Sequence, residues 1–85
     1  MSKKVRVIQY GLGPIGSAMA RHVVERQGLD LVAGIDVDPT KVGQDVGQII
    51  GLDRLLGFKV ADSLSTAMAQ TEADVVLHTL SLIHI

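Results

Sequence analysis

Apolar residues fall into two kinds of run along this chain. Val5 to Tyr10 reads Val-Arg-Val-Ile-Gln-Tyr, a β-branched run stopped by Gly11, and predicts a strand. From about Pro14 to Gln27 the period changes. Ile15, Ala18, Met19 and Val23 fall at i, i+3, i+4 and i+8, one face of a helix, while Arg21, Glu25 and Arg26 lie mostly off that face. Pro14 suits a first helical position, where its missing N–H costs nothing. Gly28 suits the residue just past a helix end. Leu29-Asp30 then turns the chain into Leu31 to Asp36, apolar almost throughout rather than alternating. That pattern belongs to a strand covered on both faces. Strand, helix and strand are complete within about 32 residues, the size of a β-turn-α-β unit.

The pattern then weakens. Val37 to Thr40 reads as a turn. Lys41 to Ile50 carries glycines at 43 and 47, which predict a short helix at most. Leu52 to Gly57 reads as loop and Phe58 to Val60 as a short strand. Ser63 is placed to cap a helix over Leu64 to Gln70, with Leu64, Ala67 and Met68 as its apolar stripe. Val75 to His78 is another strand of the buried type. Alternating β and α elements with apolar strands predict an α/β domain built on a parallel sheet with flanking helices.

Between the first strand and the first helix lies Gly11-Leu12-Gly13-Pro14-Ile15-Gly16, with G-x-G-x-x-G spacing. Nine glycines in 85 residues make that spacing weak evidence alone. Its position, immediately after a strand and opening a helix, gives it physical content. Gly11 permits a tight turn, Gly13 lets backbone approach a pyrophosphate, and Gly16 lets the helix pack closely on the strand. The helix N-terminus, from Pro14 and Ile15 onward, offers free N–H groups and a positive dipole end. Asp36 follows Gly16 by twenty residues, at the end of the second strand. A carboxylate there accepts hydrogen bonds from the ribose hydroxyls of an adenosine and repels a 2′-phosphate. These features predict a Rossmann-type domain that binds NAD, with NADP possible because Lys41 lies near enough to neutralise a phosphate. An S-adenosylmethionine site is the physical competitor, since it also uses glycines after the first strand and an acid after the second. The third glycine favours the dinucleotide.

Composition removes other classes. Hydrophobic residues are 47% and charged residues 20%, which argues against disorder. The net charge is −1, and Lys3, Lys4 and Arg6 are too few for a nucleic-acid arm. Tyr10 and Phe58 are the only aromatics, so no base-stacking platform is expected. There is no cysteine, hence no disulfide or thiolate metal site, which is compatible with a cytoplasmic protein. No run has a signal-peptide core or the length of a membrane span. No partnership with nucleic acid or membrane is expected.

The remaining chemistry-bearing residues have plain readings. His22 reads as a partly exposed helix histidine. His78 ends a predicted strand, where ligands of parallel sheets bind, and reads equally as a cofactor-lining residue or a simple strand end. Asp45, Asp53 and Arg54 read as solvated loop charges, and Met19 and Met68 as core filler. No catalytic residues and no metal ligands are identified.

Val7 to Gly16 resembles the start of the 2,4-diaminopentanoate dehydrogenase branch of the dihydrodipicolinate reductase-like family. Leu31 to Gly43, Asp45-Val46-Gly47 and Ala73 to Thr79 are similar to it as well. The first motif is shared with many dehydrogenases, homoserine dehydrogenases among them. The resemblance implies an N-terminal NAD(P)-binding domain over residues 1–79 whose substrate site, catalytic residues and oligomer interface lie in a second domain. It implies hydride transfer to or from an amine or imine of an amino-acid-like substrate, in a homo-oligomer. Gly11, Gly13, Ile15 and Gly16 would cradle the pyrophosphate, Asp36 would hold the ribose, and His78 and Thr79 would begin the loop near the nicotinamide.

Leu80-Ser81-Leu82-Ile83-His84-Ile85 departs from that family. The hexapeptide resembles a translated sequencing-library adaptor, so a truncated domain with a non-native tail is expected, the alternative being an extension of the last strand. An inactive dinucleotide-binding portion of an oxidoreductase follows as the expected function. A stand-alone redox-sensing module is the alternative.

Overall fold

A computed structural model describes residues 4–78 and 81–84. Strand β1 (Val5–Tyr10) runs into helix α1 (Pro14–Glu25) and then strand β2 (Leu29–Ile35). Helices α2 (Val46–Ile49) and α3 (Leu64–Gln70) precede strand β3 (Val75–His78), and strand β4 (Ser81–His84) follows it. The sheet order is β2-β1-β3-β4. β1 pairs parallel with both β2 and β3, so the expected parallel Rossmann-type sheet with flanking helices is present. β4 pairs antiparallel with β3, Val75 opposite His84, and so does not simply prolong it.

Residues alternate between two faces of this sheet. Val7, Leu31 and Val75 pack with Ala20 and Val23 of α1 and Val46 of α2. Ile8, Ala33, Ile35 and Val76 pack with Ala67 of α3 on the other face. The register shifts between Val7 and Ile8, so that Val7 lies opposite Leu31 but Ile8 opposite Ala33. One extra residue, Val32, is absorbed there, and each flanking residue keeps its own face. Because α1 covers one face and α3 the other, the crevice at the carboxyl ends of β1 and β3 lies where the chain changes sides. Such crevices are where open α/β sheets bind ligands.

The buried face of α1 differs from the one its periodicity predicts. Gly16, Ser17, Ala20 and Val23 are buried, whereas Ile15 is 65% exposed. Close approach of the helix to the sheet selects small residues for the contact, and an apolar count does not weigh them. A Cβ on Gly16 would overlap the Gly11 carbonyl oxygen and stand 2.7 Å from its carbon. Ala67 likewise carries the contact of α3, and Met68 is 46% exposed rather than core. The predicted short strand at Phe58 to Val60 reduces to two isolated bridges, Lys59 with Asp45 and Ala61 with Ile35.

Asp45 is not a solvated loop charge. It is half-buried and accepts backbone N–H groups from Gly47, Leu56 and Gly57 at 2.8 to 2.9 Å. One carboxylate therefore caps α2 and ties down the following loop. Burial pushes its pKa up, but the N–H donors of Leu56, Gly57, Gly47 and Gln48 outweigh this and hold it below the ordinary value.

Candidate functional site

Gly11 leaves β1 with φ of 104°, a backbone state open to glycine without strain. The chain then turns at Leu12 and enters α1 with Gly13 as N-cap and Pro14 in the first turn. The first intrahelical bond runs from Ser17 N–H to the Gly13 carbonyl at 2.8 Å. The N–H groups of Ile15 and Gly16 precede it and have no helical carbonyl to donate to. No acidic side chain occupies this first turn. The positive end of α1 therefore faces the crevice without a carboxylate of its own helix to neutralise it.

Two of the three glycines of the turn are required by the fold, each for a different reason. Gly11 needs its positive φ, and Gly16 lies against the Gly11 carbonyl. Gly13 has φ of −72°, and a Cβ there would meet nothing within 4 Å. Folding of this chain does not demand glycine at position 13.

Asp36 lies one residue beyond β2 and is joined to the turn. Its Oδ2 accepts the Leu12 N–H at 2.8 Å, and its Oδ1 accepts the Asp38 N–H at 2.9 Å. Each oxygen retains acceptor capacity for a further donor. The Leu12 carbonyl accepts from Ser17 Oγ at 3.0 Å and Lys41 Nζ at 2.9 Å. Asp38 accepts from the hydroxyl and N–H of Thr40, which depress its pKa. The segment after β2 is thus folded back over the glycine turn.

Gly11, Gly13, Pro14, Ile15, Gly16 and Asp36 are brought together in this way. His78 ends β3 as the register partner of Tyr10 on the adjacent β1, with ring centroids 5.4 Å apart. Thr79 lies outside the described residues. His22 is exposed on α1, away from the buried face.

Beside the turn opens a cleft of about 460 Å³, lined among others by Gly13, Pro14, Arg21, Lys41 and Gly51. Arg21 Nη1 donates to the Ile50 carbonyl at 2.6 Å. Among the described residues two cations and no carboxylate line it, which makes it hospitable to anions. Sequence reading noted Lys41 but missed Arg21, because nothing local marks a helix-surface arginine as facing a loop 29 residues away. It also missed Gln9, which is fully buried on β1 and whose Nε2 donates to the Gly11 carbonyl at 3.2 Å. Among the described residues no cluster of His, Cys, Asp and Glu could hold a metal, and no helix is long and apolar enough to cross a membrane.

Residues 2–82 match the family model described as CoA binding domain. The chain is 35% identical over 68 residues to a 4-hydroxy-tetrahydrodipicolinate reductase of Methanococcus maripaludis, covering 78% of this chain and 25% of that protein. It is 35% identical over 72 residues to an amine dehydrogenase of Streptomyces virginiae, covering 85% of this chain and 20% of that one. The solved structure of amine dehydrogenase from Mycobacterium smegmatis superposes with a TM-score of 0.77 at 36% identity, over 85% of this chain and 21% of that one. The chain therefore spans about a quarter of the length of the curated relatives it matches. These relatives bear out the dihydrodipicolinate reductase-like resemblance.

Proposed function

The chain belongs to the CoA-binding domain family, and from that premise we propose that it is the dinucleotide-binding portion of a longer NAD(P)-dependent oxidoreductase. The 2,4-diaminopentanoate dehydrogenase branch is the proposed affiliation, with an amine or imine of an amino-acid-like compound as substrate. One observation carries the reading. Gly13 is a glycine that neither strain nor crowding requires, at the mouth of a helix whose first turn holds free N–H groups and no acid. Capping of α1 accounts for part of the preference for glycine there, and a ligand's close approach supplies a further reason.

The residues present fit the group. Gly13, Pro14, Ile15 and Gly16 would hold the pyrophosphate, through the N–H groups of Ile15 and Gly16. Asp36, already fixed by two backbone donors, would accept from the adenosine ribose hydroxyls. Its charge opposes a phosphate on that ribose, so NAD is proposed over NADP. Arg21 and Lys41 supply positive charge in the adjoining cleft. His78, and Thr79 after it, would flank the nicotinamide half. When bound, the nicotinamide supplies hydride exchange. No acid–base pair beside it is identified among the described residues, and no turnover is expected from this chain alone. Residues 1–79 are proposed as native dinucleotide-binding sequence and residues 80–85 as adaptor-encoded. Resequencing the locus tests that boundary.

The chain has no tryptophan, so NADH emission can be followed without indole background. Titration should show tighter binding of NADH than of NADPH, and Asp36→Ala should erase the difference. Equal weak binding of both by wild type and variant would remove the case for Asp36. CoA bears a 3′-phosphate on the same adenosine pyrophosphate. Tighter binding of CoA than of NADH would overturn the nicotinamide reading.

A further inference from the structure

The peptide between Gly11 and Leu12 is held from both sides. Its carbonyl accepts from Gln9 Nε2 at 3.2 Å, and its N–H donates to Asp36 Oδ2 at 2.8 Å. No cis peptide is present among the described residues. In a trans peptide the C=O and N–H point in opposite directions, so these two bonds fix one orientation of the plane.

Gln9 is an expensive residue for a purely structural position. It is 0% exposed on an interior strand of the sheet, paired with Gly34 on β2 and Leu77 on β3. Its Oε1 has no hydrogen-bond partner among the described residues. A buried amide with an unmet acceptor is less favourable than an apolar side chain of the same shape. The nitrogen must face Gly11, because two oxygens would repel. The one bond Gln9 makes is therefore what distinguishes it from a methionine or leucine.

We infer that Gln9 is a positioning residue for Asp36, acting through the Gly11–Leu12 peptide. Gln9 sets the direction of the Leu12 N–H, and that N–H sets Asp36 Oδ2. The other carboxylate oxygen is held from its own turn by Asp38 N–H. The inference rests on the reading of Asp36 as the ribose acceptor. The clamp itself can be measured without any ligand.

Gln9→Met keeps length and volume, a swap that cores usually tolerate, and Gln9→Leu is the second variant. In the full chain without ligand, Leu12 amide hydrogen exchange should be slow and should quicken about tenfold or more in Gln9→Met, as expected when a buried hydrogen bond is lost. Exchange at Ile8 and Leu77 should not change. With ligand, Gln9→Met should weaken NADH binding about tenfold in wild type and less than about twofold in Asp36→Ala, because the two residues act as one unit.

Multiplying, independent losses would show that Gln9 only fills the core and would overturn the inference. So would Leu12 exchange in wild type as fast as that of Gly13, which needs no variant. Failure of wild type to bind NADH, NADPH or CoA would sink the functional reading alone. Leu12 exchange would still decide the clamp.

Discussion

Replacing Gly16 and Gly13 separately by alanine distinguishes a glycine the fold needs from one the ligand needs. At Gly16 the new Cβ would overlap the Gly11 carbonyl oxygen, stand 2.7 Å from Gly11 C and 3.3 Å from Gln9 Nε2. The obstacle is backbone, so α1 must move outward from a face that buries Ser17, Ala20 and Val23. Overpacking of this kind costs about 1–3 kcal/mol, at the upper end where backbone must shift. Removing a helical glycine returns up to about 1 kcal/mol. A net loss of about 2 kcal/mol is expected for Gly16→Ala, a fall in Tm of roughly 8–16 °C for a domain of this size. At Gly13 the Cβ meets nothing within 4 Å and φ is −72°. Loss of a glycine N-cap and the stiffer unfolded chain nearly cancel, leaving stability within about 1 kcal/mol. Urea unfolding followed by circular dichroism measures both variants, and NADH titration follows on whichever remains folded. Gly13→Ala should keep its midpoint and lose about tenfold or more in NADH affinity, the cost of a methyl group intruding on a close backbone–phosphate contact. Unchanged NADH affinity in a folded Gly13→Ala, or an unchanged midpoint in Gly16→Ala, would refute the division.

Two further substitutions test how the scaffold is held. Asp45→Ala should cost about 1–2 kcal/mol, as for loss of a well-made cap, measured by urea unfolding. Because the folded carboxyl titrates below its ordinary value of 3.8, the Asp45 contribution is present above that pH and fades as pH falls through the lower folded value. The gap between wild type and Asp45→Ala should therefore close on acidification below about pH 4. At the start of β1, Asp74 accepts from the Arg6 backbone N–H at 2.8 Å and from its guanidinium, whereas Glu72 is 88% exposed and makes one contact. Asp74→Ala should lower Tm clearly, while Glu72→Gln should shift it by less than about 2 °C, as exposed ion pairs do. Equal shifts would show that the backbone-directed bond adds nothing.

The parts of the fold that sequence revealed are those with a strong local signal. Val5 to Tyr10 is β-branched, the glycine spacing sits between two periods, and Ser63 caps α3 as expected, with its side chain accepting the Thr66 N–H. What escaped depends on distance. The contact face of α1 is chosen by how near the helix comes to the sheet, so glycine, serine and alanine carry it. The role of Asp45 depends on residues 56 and 57 folding back. The importance of Gln9 comes from a carbonyl whose direction only the completed turn defines. The candidate site was legible as a set of positions. Its internal bonding was not, because the bonds that tie the turn and α1 to Asp36, Lys41 and Ile50 join residues 24 to 29 apart.

The placement of β1 also bears on the order in which the chain is made. β1 precedes the other described strands in the chain and lies inside the described sheet, with β2 on one side and β3 on the other. β2 follows soon, but β3 begins only at Val75. At roughly 5–20 residues per second, the second edge of β1 waits some 3–13 s for its partner. During that interval Val5 to Tyr10 presents unpaired N–H and C=O groups on a β-branched segment, the kind of edge that recruits strands from other chains. The arrangement that centres the glycine turn in the sheet thus exposes β1 to errors of nascent-chain handling as well as to loss of final stability on mutation.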